Sequence, residues 1–250
     1  MEQLDERYIW IYGKHAVLEA LTYKPEVVSE VFLRDDVQPQ VRTKLLTSIK
    51  KVSVFKGDDV PRVIDRNAVH QGMIAKIDKQ KLVLDFDDFK QSLTVTADTA
   101  VVLLGEVQDP HNVGAVIRSA AGFGLSAVLI PKHRGAGVTG TVVKVSVGMA
   151  FKIPLVEVAN VNRALADLKK LGFFVYGLDG GGDTSLAKEQ FTKPSVFVLG
   201  NEGEGIREKT KEHCDTILSI PMHPRCESLN ASASAAVIFF AWSTGHPDAL

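Results

Sequence analysis

The sequence predicts an α/β protein of two units: a small one over residues 1–77 and a larger one over residues 98–250, joined by a linker over 78–97. Three observations carry this. From Ala100 onward, short apolar runs alternate with helical patterns, as in a mostly parallel sheet covered by helices. Residues 1–77 hold a separate, shorter alternation. Between them the composition shifts, and Asp85-Phe86-Asp87-Asp88-Phe89-Lys90 has little core character, so this stretch reads as a connector with room for one helical turn.

In the small unit, Gly13 to Leu21 is an amphipathic helix start and Val28–Leu33 a strand closed by Arg34-Asp35-Asp36. Val41, Leu45, Leu46 and Ile49 follow helical spacing. Val52–Phe55 is a short strand stopped by Gly57, and His70-Gln71-Gly72 is a turn into Met73–Ile77.

In the large unit, Val101-Val102-Leu103-Leu104 is apolar throughout, as a strand buried on both faces would be. Asp109-Pro110-His111-Asn112 supplies helix-start chemistry. Val113, Val116, Ile117, Ala120 and Ala121 then form a helical stripe. Further strands are expected at Ala127–Ile130, Phe173–Leu178, Val196–Leu199 and Thr216–Ile220, with a helix over Asn162–Leu171. The last helix, Leu229 to about Thr244, is apolar nearly all round, which at a chain end points to burial partly against a second copy, a homodimer.

Composition narrows the function classes. Apolar runs break well before ~18 residues, so no membrane span is expected. The acidic start Met1-Glu2-Gln3-Leu4-Asp5-Glu6 argues against an export signal, and Cys214 and Cys226 read as free thiols in a reducing cytoplasm. No metal-ligand spacing occurs. Net charge is −1, so any contact with a polyanion must be local; Lys132–Lys152 carries four basic and no acidic residues, the composition of a solvated loop and helix face.

Three polar-glycine segments follow strand-like runs. The first is Asn112-Val113-Gly114-Ala115-Val116-Ile117-Arg118. Arg118 lies about 140° around the helix from Val113, so it points away from the core. The second, Gly200-Asn201-Glu202-Gly203-Glu204-Gly205, permits positive φ and close ligand approach to backbone; as a simple turn, its acids would cap a helix starting near Ile206. It is not the G-x-G-x-x-G dinucleotide fingerprint. The third runs from Ile220-Pro221-Met222 to Ser228-Leu229-Asn230, with Ser228 a candidate helix N-cap.

In this order and spacing, the three segments resemble the motifs of the SpoU (TrmH) family of RNA ribose 2′-O-methyltransferases, over roughly residues 98–245. The resemblance implies a SPOUT-type α/β domain with a deep trefoil knot and S-adenosyl-L-methionine as cofactor. It implies a catalytic centre from Asn112, Arg118, Glu202, Ser228 and Asn230. The cofactor would be held by the loop bearing Gly200, Asn201, Glu202 and Gly205, and by Ile220, Met222, Ser228 and Leu229. Ligands of α/β sheets gather at the carboxyl ends of strands, which adds Leu178 and Gly180 to that pocket. The stretch Pro224-Arg225-Cys226-Glu227 is bulkier and more charged than members usually carry. Arg118 reads as a phosphate and ribose clamp, or as the base the resemblance suggests; an always-charged guanidinium is an awkward base. His111 and Cys226 read as structural or substrate-contacting.

Tyr12-Gly13-Lys14-His15-Ala16-Val17 and His70-Gln71-Gly72 resemble the small ribosomal-protein-like RNA-binding domain of rRNA-specific members. The expected substrate is therefore a guanosine ribose in large-subunit rRNA, with tRNA as the alternative. A dinucleotide-binding oxidoreductase and a catalytically silent RNA-binding ribosome factor remain rival readings.

Overall fold

The computed structural model describes residues 7–37, 51–57, 60, 61, 64 and 68–250. It forms two compact units: Met1–Val83 with Val138–Lys152, and Leu84–Gly137 with Ile153–Leu250. The expected helix around Val41–Ile49 lies outside the described residues.

The first unit is built on a four-stranded sheet in the order β1-β4-β2-β3. Strand β1 (Tyr8–Tyr12) pairs antiparallel with β4 (Met73–Asp78), which pairs antiparallel with β2 (Val28–Arg34); β2 is parallel to β3 (Val52–Phe55). Helix α1 (Lys14–Tyr23) buries Ala16, Val17 and Ala20. The segment 138–152 completes this unit. Its helix α5 (Gly140–Val145) packs on β1, and a Cβ at Gly140 would collide with the Trp10 carbonyl, which is why glycine stands there. Lys152 pairs with Glu19 at 2.8 Å, and the Lys144 ammonium lies 4.7 Å from the Tyr12 ring centre. In the second unit, Arg134 faces Glu106 and Lys132 faces Glu157, each at 3.8 Å. Each of these four cations thus has a carboxylate or aromatic neighbour in its own unit.

Residues 78–97 are more ordered than a linker. They form α2 (Lys79–Leu82), β5 (Val83–Asp85) and α3 (Phe86–Ser92). Asp78 and Asp85 cap the two helices by accepting N–H groups. Phe89 is buried in the core of the second unit, with Leu84, Phe86, Leu93 and Val95 packed against it. Asp85, Asp87 and Asp88 are exposed and hide the apolar period in the composition.

The second unit is an eight-stranded sheet in the order β10-β12-β9-β11-β6-β7-β8-β5. Its strands are β6 (Ala100–Leu104), β7 (Ala127–Pro131), β8 (Leu155–Val158), β9 (Phe174–Leu178), β10 (Thr184–Ser185), β11 (Ser195–Leu199) and β12 (Thr216–Ser219). From β10 to β8, each neighbouring pair is parallel. Strands β6, β7 and β11 are buried along their whole length, as expected with helices on both faces. One face packs on α6 (Val161–Lys170) through Leu165 and Leu168. On the other, Phe197 meets Phe239 of α8 (Ala231–Ser243), ring centres 5.9 Å apart. Helix α8 also packs on α4 (Pro110–Gly122), whose stripe Val113, Val116, Ile117 and Ala120 is buried. Because β12, β9, β11 and β6 are parallel neighbours, their carboxyl ends share one edge and their following loops gather there.

Candidate active site

The loops at that edge enclose a cavity of about 470 Å³. Leu178, Asp179 and Gly180 come from the end of β9, and Leu199 through Gly205 from the end of β11. Ile220 and Met222 follow β12, and Glu227 through Ala231 lead into α8. Every residue expected to hold a cofactor lies on this wall: Leu178, Gly180, Gly200, Asn201, Glu202, Gly205, Ile220, Met222, Ser228 and Leu229.

The 200–205 loop is held tight. Asn201 and Gly205 exchange backbone hydrogen bonds of 2.9 and 3.0 Å, and Asn201 Oδ1 accepts from Gly203 N–H. A Cβ at Gly200 would collide with the Gly205 backbone, so the residue is glycine by necessity. The helix that follows, α7 (Glu208–Lys211), starts later than expected and is preceded by Arg207. Glu202 therefore caps no helix. It turns instead toward α4, where Asn112 Nδ2 donates to its Oε1 at 2.9 Å. The N–H groups of Gln108 and Asp109 reach the same carboxylate at 3.4 Å each. Burial pushes this carboxyl up, but the Asn112 amide and the surrounding N–H groups outweigh it and hold Glu202 below the usual carboxylate range.

Asn112 is not the cap of α4. Asp109 caps it by accepting from His111 N–H at 2.8 Å, with Pro110 at the first helical position. Asn112 is then the third residue of the helix, 6% exposed and satisfied at both ends of its amide. Its Oδ1 accepts from Asn230 Nδ2 at 2.9 Å. Asn230, not Ser228, is the N-cap of α8; its Oδ1 accepts from Ser232 N–H at 2.8 Å and Ser232 O–H at 2.6 Å. A directed relay results, from Ser232 through Asn230 and Asn112 to Glu202. Ser228 is exposed on the cavity wall.

Of the five expected catalytic residues, the chain brings Asn112, Glu202 and Asn230 into contact and places Ser228 on the same cavity wall. It does not bring Arg118 there. Six residues beyond Asn112, Arg118 is about 9 Å further along the helix and about 120° around it. It is exposed, with no hydrogen bond or ion pair among the described residues.

Asp179 is a cavity residue beyond those expected. The Gly181 N–H and the Lys211 ammonium, against the effect of burial, hold it below the usual carboxylate range. Its position at the end of β9 is the signal in the sequence that could have found it. Among the described residues no cluster suits a metal ion.

The geometry can be set beside known proteins. The profile of the SpoU rRNA Methylase family matches residues 99–240, and that of the RNA 2′-O ribose methyltransferase substrate-binding domain matches residues 10–83. The chain belongs to the SpoU rRNA methylase family. A 23S rRNA (guanosine-2′-O-)-methyltransferase of Neisseria meningitidis serogroup B is 34% identical over 91% of this chain and 92% of its own. One from Xanthomonas axonopodis pv. citri is 38% identical over 92% and 94%. Among solved structures, the SpoU methyltransferase AviRb of Streptomyces viridochromogenes, in complex with AdoMet, superposes with a TM-score of 0.83 at 21% identity, covering 97% of this chain and 92% of that one. The parallel α/β fold is thus that of SpoU enzymes, and a dinucleotide oxidoreductase is ruled out as its class.

Proposed function

We propose that this protein transfers a methyl group from S-adenosyl-L-methionine to the ribose 2′-oxygen of a guanosine in large-subunit rRNA. The observation that carries the reading is the relay from Asn230 through the buried Asn112 to Glu202, with Asn230 and Glu202 on the wall of a glycine-lined cavity. Family membership and the curated relatives support the substrate.

The cavity suits the cofactor. Its volume lies in the ligand range of about 300–1,000 Å³. Leu178, Leu199, Leu218, Ile220, Met222 and Leu229 offer apolar walls for an adenine, and the carboxylates of Asp179, Glu202 and Glu204 suit a cationic methyl donor. When bound, S-adenosyl-L-methionine supplies a methyl carbon with a neutral thioether as leaving group. The protein must then orient the 2′-hydroxyl and handle its proton. Glu202, ionised and fixed by Asn112, and Asn230 hold the reacting groups in place. Arg118 clamps ribose and phosphate bidentately and stabilises charge developing on the 2′-oxygen.

Arg118 does this from a homodimer in our reading. Ile238, Phe239 and Trp242 of α8 are buried in their own unit, but Val237 and Phe240 are 39% and 58% exposed, and Phe240 stacks edge-on with Phe123. A second copy on this apolar strip would meet α4, which carries Arg118. The trefoil knot belongs to the same reading. Residues 1–77 supply RNA affinity and target choice, residues 98–250 the chemistry, with 78–97 between them. Among the described residues no helix is long and apolar enough to cross a membrane, and we assign the protein to the cytoplasm, where it would meet rRNA.

Mapping 2′-O-methylation in rRNA and tRNA from a strain lacking the gene tests the reading. Loss of one methylated guanosine from large-subunit rRNA is expected; loss from tRNA alone would redirect the assignment.

A further inference from the structure

We infer that Glu106 and Arg207 form a latch holding the β6–α4 loop against the 200–205 loop, which makes Glu106 a positioning residue for Asn112 and Glu202.

The inference rests on the methyltransferase reading and adds a residue to it. Glu106 follows β6 with φ +67°, a left-handed conformation that a side chain other than glycine rarely adopts. Such a conformation persists where the surroundings over-determine it, and here they do. One Glu106 carboxylate oxygen pairs with Arg207 at 2.6 Å, and the other faces Arg134 at 3.8 Å. The Glu106 carbonyl accepts from Asn201 Nδ2 at 3.1 Å, and Gly105 N–H donates to the Leu199 carbonyl at 2.6 Å. Next along the chain, Val107 is buried and its carbonyl accepts from Ala136 N–H.

The two loops so joined carry the parts of the relay. One bears the Gln108 and Asp109 N–H groups and leads to Asn112; the other bears Glu202. The 3.4 Å contacts from Gln108 and Asp109 are long, so a small separation of the loops would break them. Glu106 lies outside the cavity wall and acts through its neighbours.

The test compares the full-length wild type with Glu106→Gln, Arg207→Ala, Arg207→Lys and the Glu106→Gln/Arg207→Ala double variant. Amide hydrogen exchange and single-turnover methyl transfer to large-subunit rRNA are both measured. Arg207 is about half exposed, so its truncation spares the fold even where Glu106→Gln does not. Exchange at residues 105–109 and 200–205 should quicken in both single variants, with transfer slowed about tenfold and RNA affinity unchanged. The double variant should be no worse than either single one, and Arg207→Lys should retain most of the rate. Unchanged exchange in Arg207→Ala, or a double variant whose losses add, would overturn the latch. A wild type that transfers no methyl group would overturn the proposed function and the catalytic part of this inference, while the exchange result would still decide the latch.

Discussion

Asn230 Nδ2 donates to Asn112 Oδ1 at 2.9 Å, joining residues 118 positions apart. The same Asn230 caps α8 through its Oδ1, so one side chain starts a helix and orients a neighbouring amide. These two duties can be separated. Asn230→Asp keeps the cap, because a carboxylate accepts from Ser232 and Ala233 N–H as the amide oxygen does, but it cannot donate to Asn112. With an oxygen now facing Asn112 Oδ1 it should melt somewhat below the wild type while its helix cap is kept, and lose most methyl transfer. Asn230→Ala should lose transfer and also about 1 kcal/mol of stability. Thermal melts beside a transfer assay check this; an active Asn230→Asp would show that the donor is dispensable.

Arg118→Ala should leave stability within about 0.5 kcal/mol, since the residue is exposed and off the buried stripe. Methyl transfer should fall by orders of magnitude with cofactor binding nearly unchanged. Arg118→Lys keeps the charge but loses the planar fork, so it should be nearly as damaged. Single-turnover rates with calorimetric cofactor affinities check this, and a near-normal Arg118→Lys would mean that charge alone suffices.

The cofactor site can be closed without breaking the fold, but not at Gly200, where a Cβ meets the Gly205 backbone and the loop itself must shift. Gly180 also lines the cavity, and a Cβ there meets nothing within 4 Å. Gly180→Leu should therefore weaken S-adenosyl-L-methionine binding at least tenfold with an unchanged melting temperature, whereas Gly200→Val should lower both. Calorimetry and thermal melts distinguish the two.

Phe240 is 58% exposed on α8 beside Phe123. Phe240→Glu places a charge on the strip assigned to the second copy and should yield a monomer by light scattering. It should keep its fold and lose methyl transfer. A wild type that is monomeric at micromolar concentration would contradict the dimer.

Much of the fold is readable from residue order. The strands Ala100–Leu104 and Ala127–Pro131, and Ser195–Leu199 after its first residue, are apolar because both faces are covered, and that pattern survives in the sequence. The strand Leu155–Val158 is not legible there, because four residues interrupted by Glu157 give too short a signal. Nor is Tyr8–Tyr12, where half-buried aromatics hide the alternation. The grouping of 138–152 with the first unit depends on contacts with β1 and α1 far away in sequence. At the site, the glycine and asparagine segments are visible as strand-end loops. The turning of Glu202 toward Asn112 is not, since their contact spans 90 residues and a local reading has Glu202 capping the next helix.

The most direct measurement incubates the purified chain with S-adenosyl-L-methionine carrying a labelled methyl group and, separately, unmodified large-subunit rRNA and tRNA, then digests the RNA to nucleosides for mass spectrometry. The account predicts label in 2′-O-methylguanosine from the rRNA, and none when Asn112→Ala replaces the wild type. Label on a base, label in tRNA only, or undiminished transfer by Asn112→Ala would contradict it.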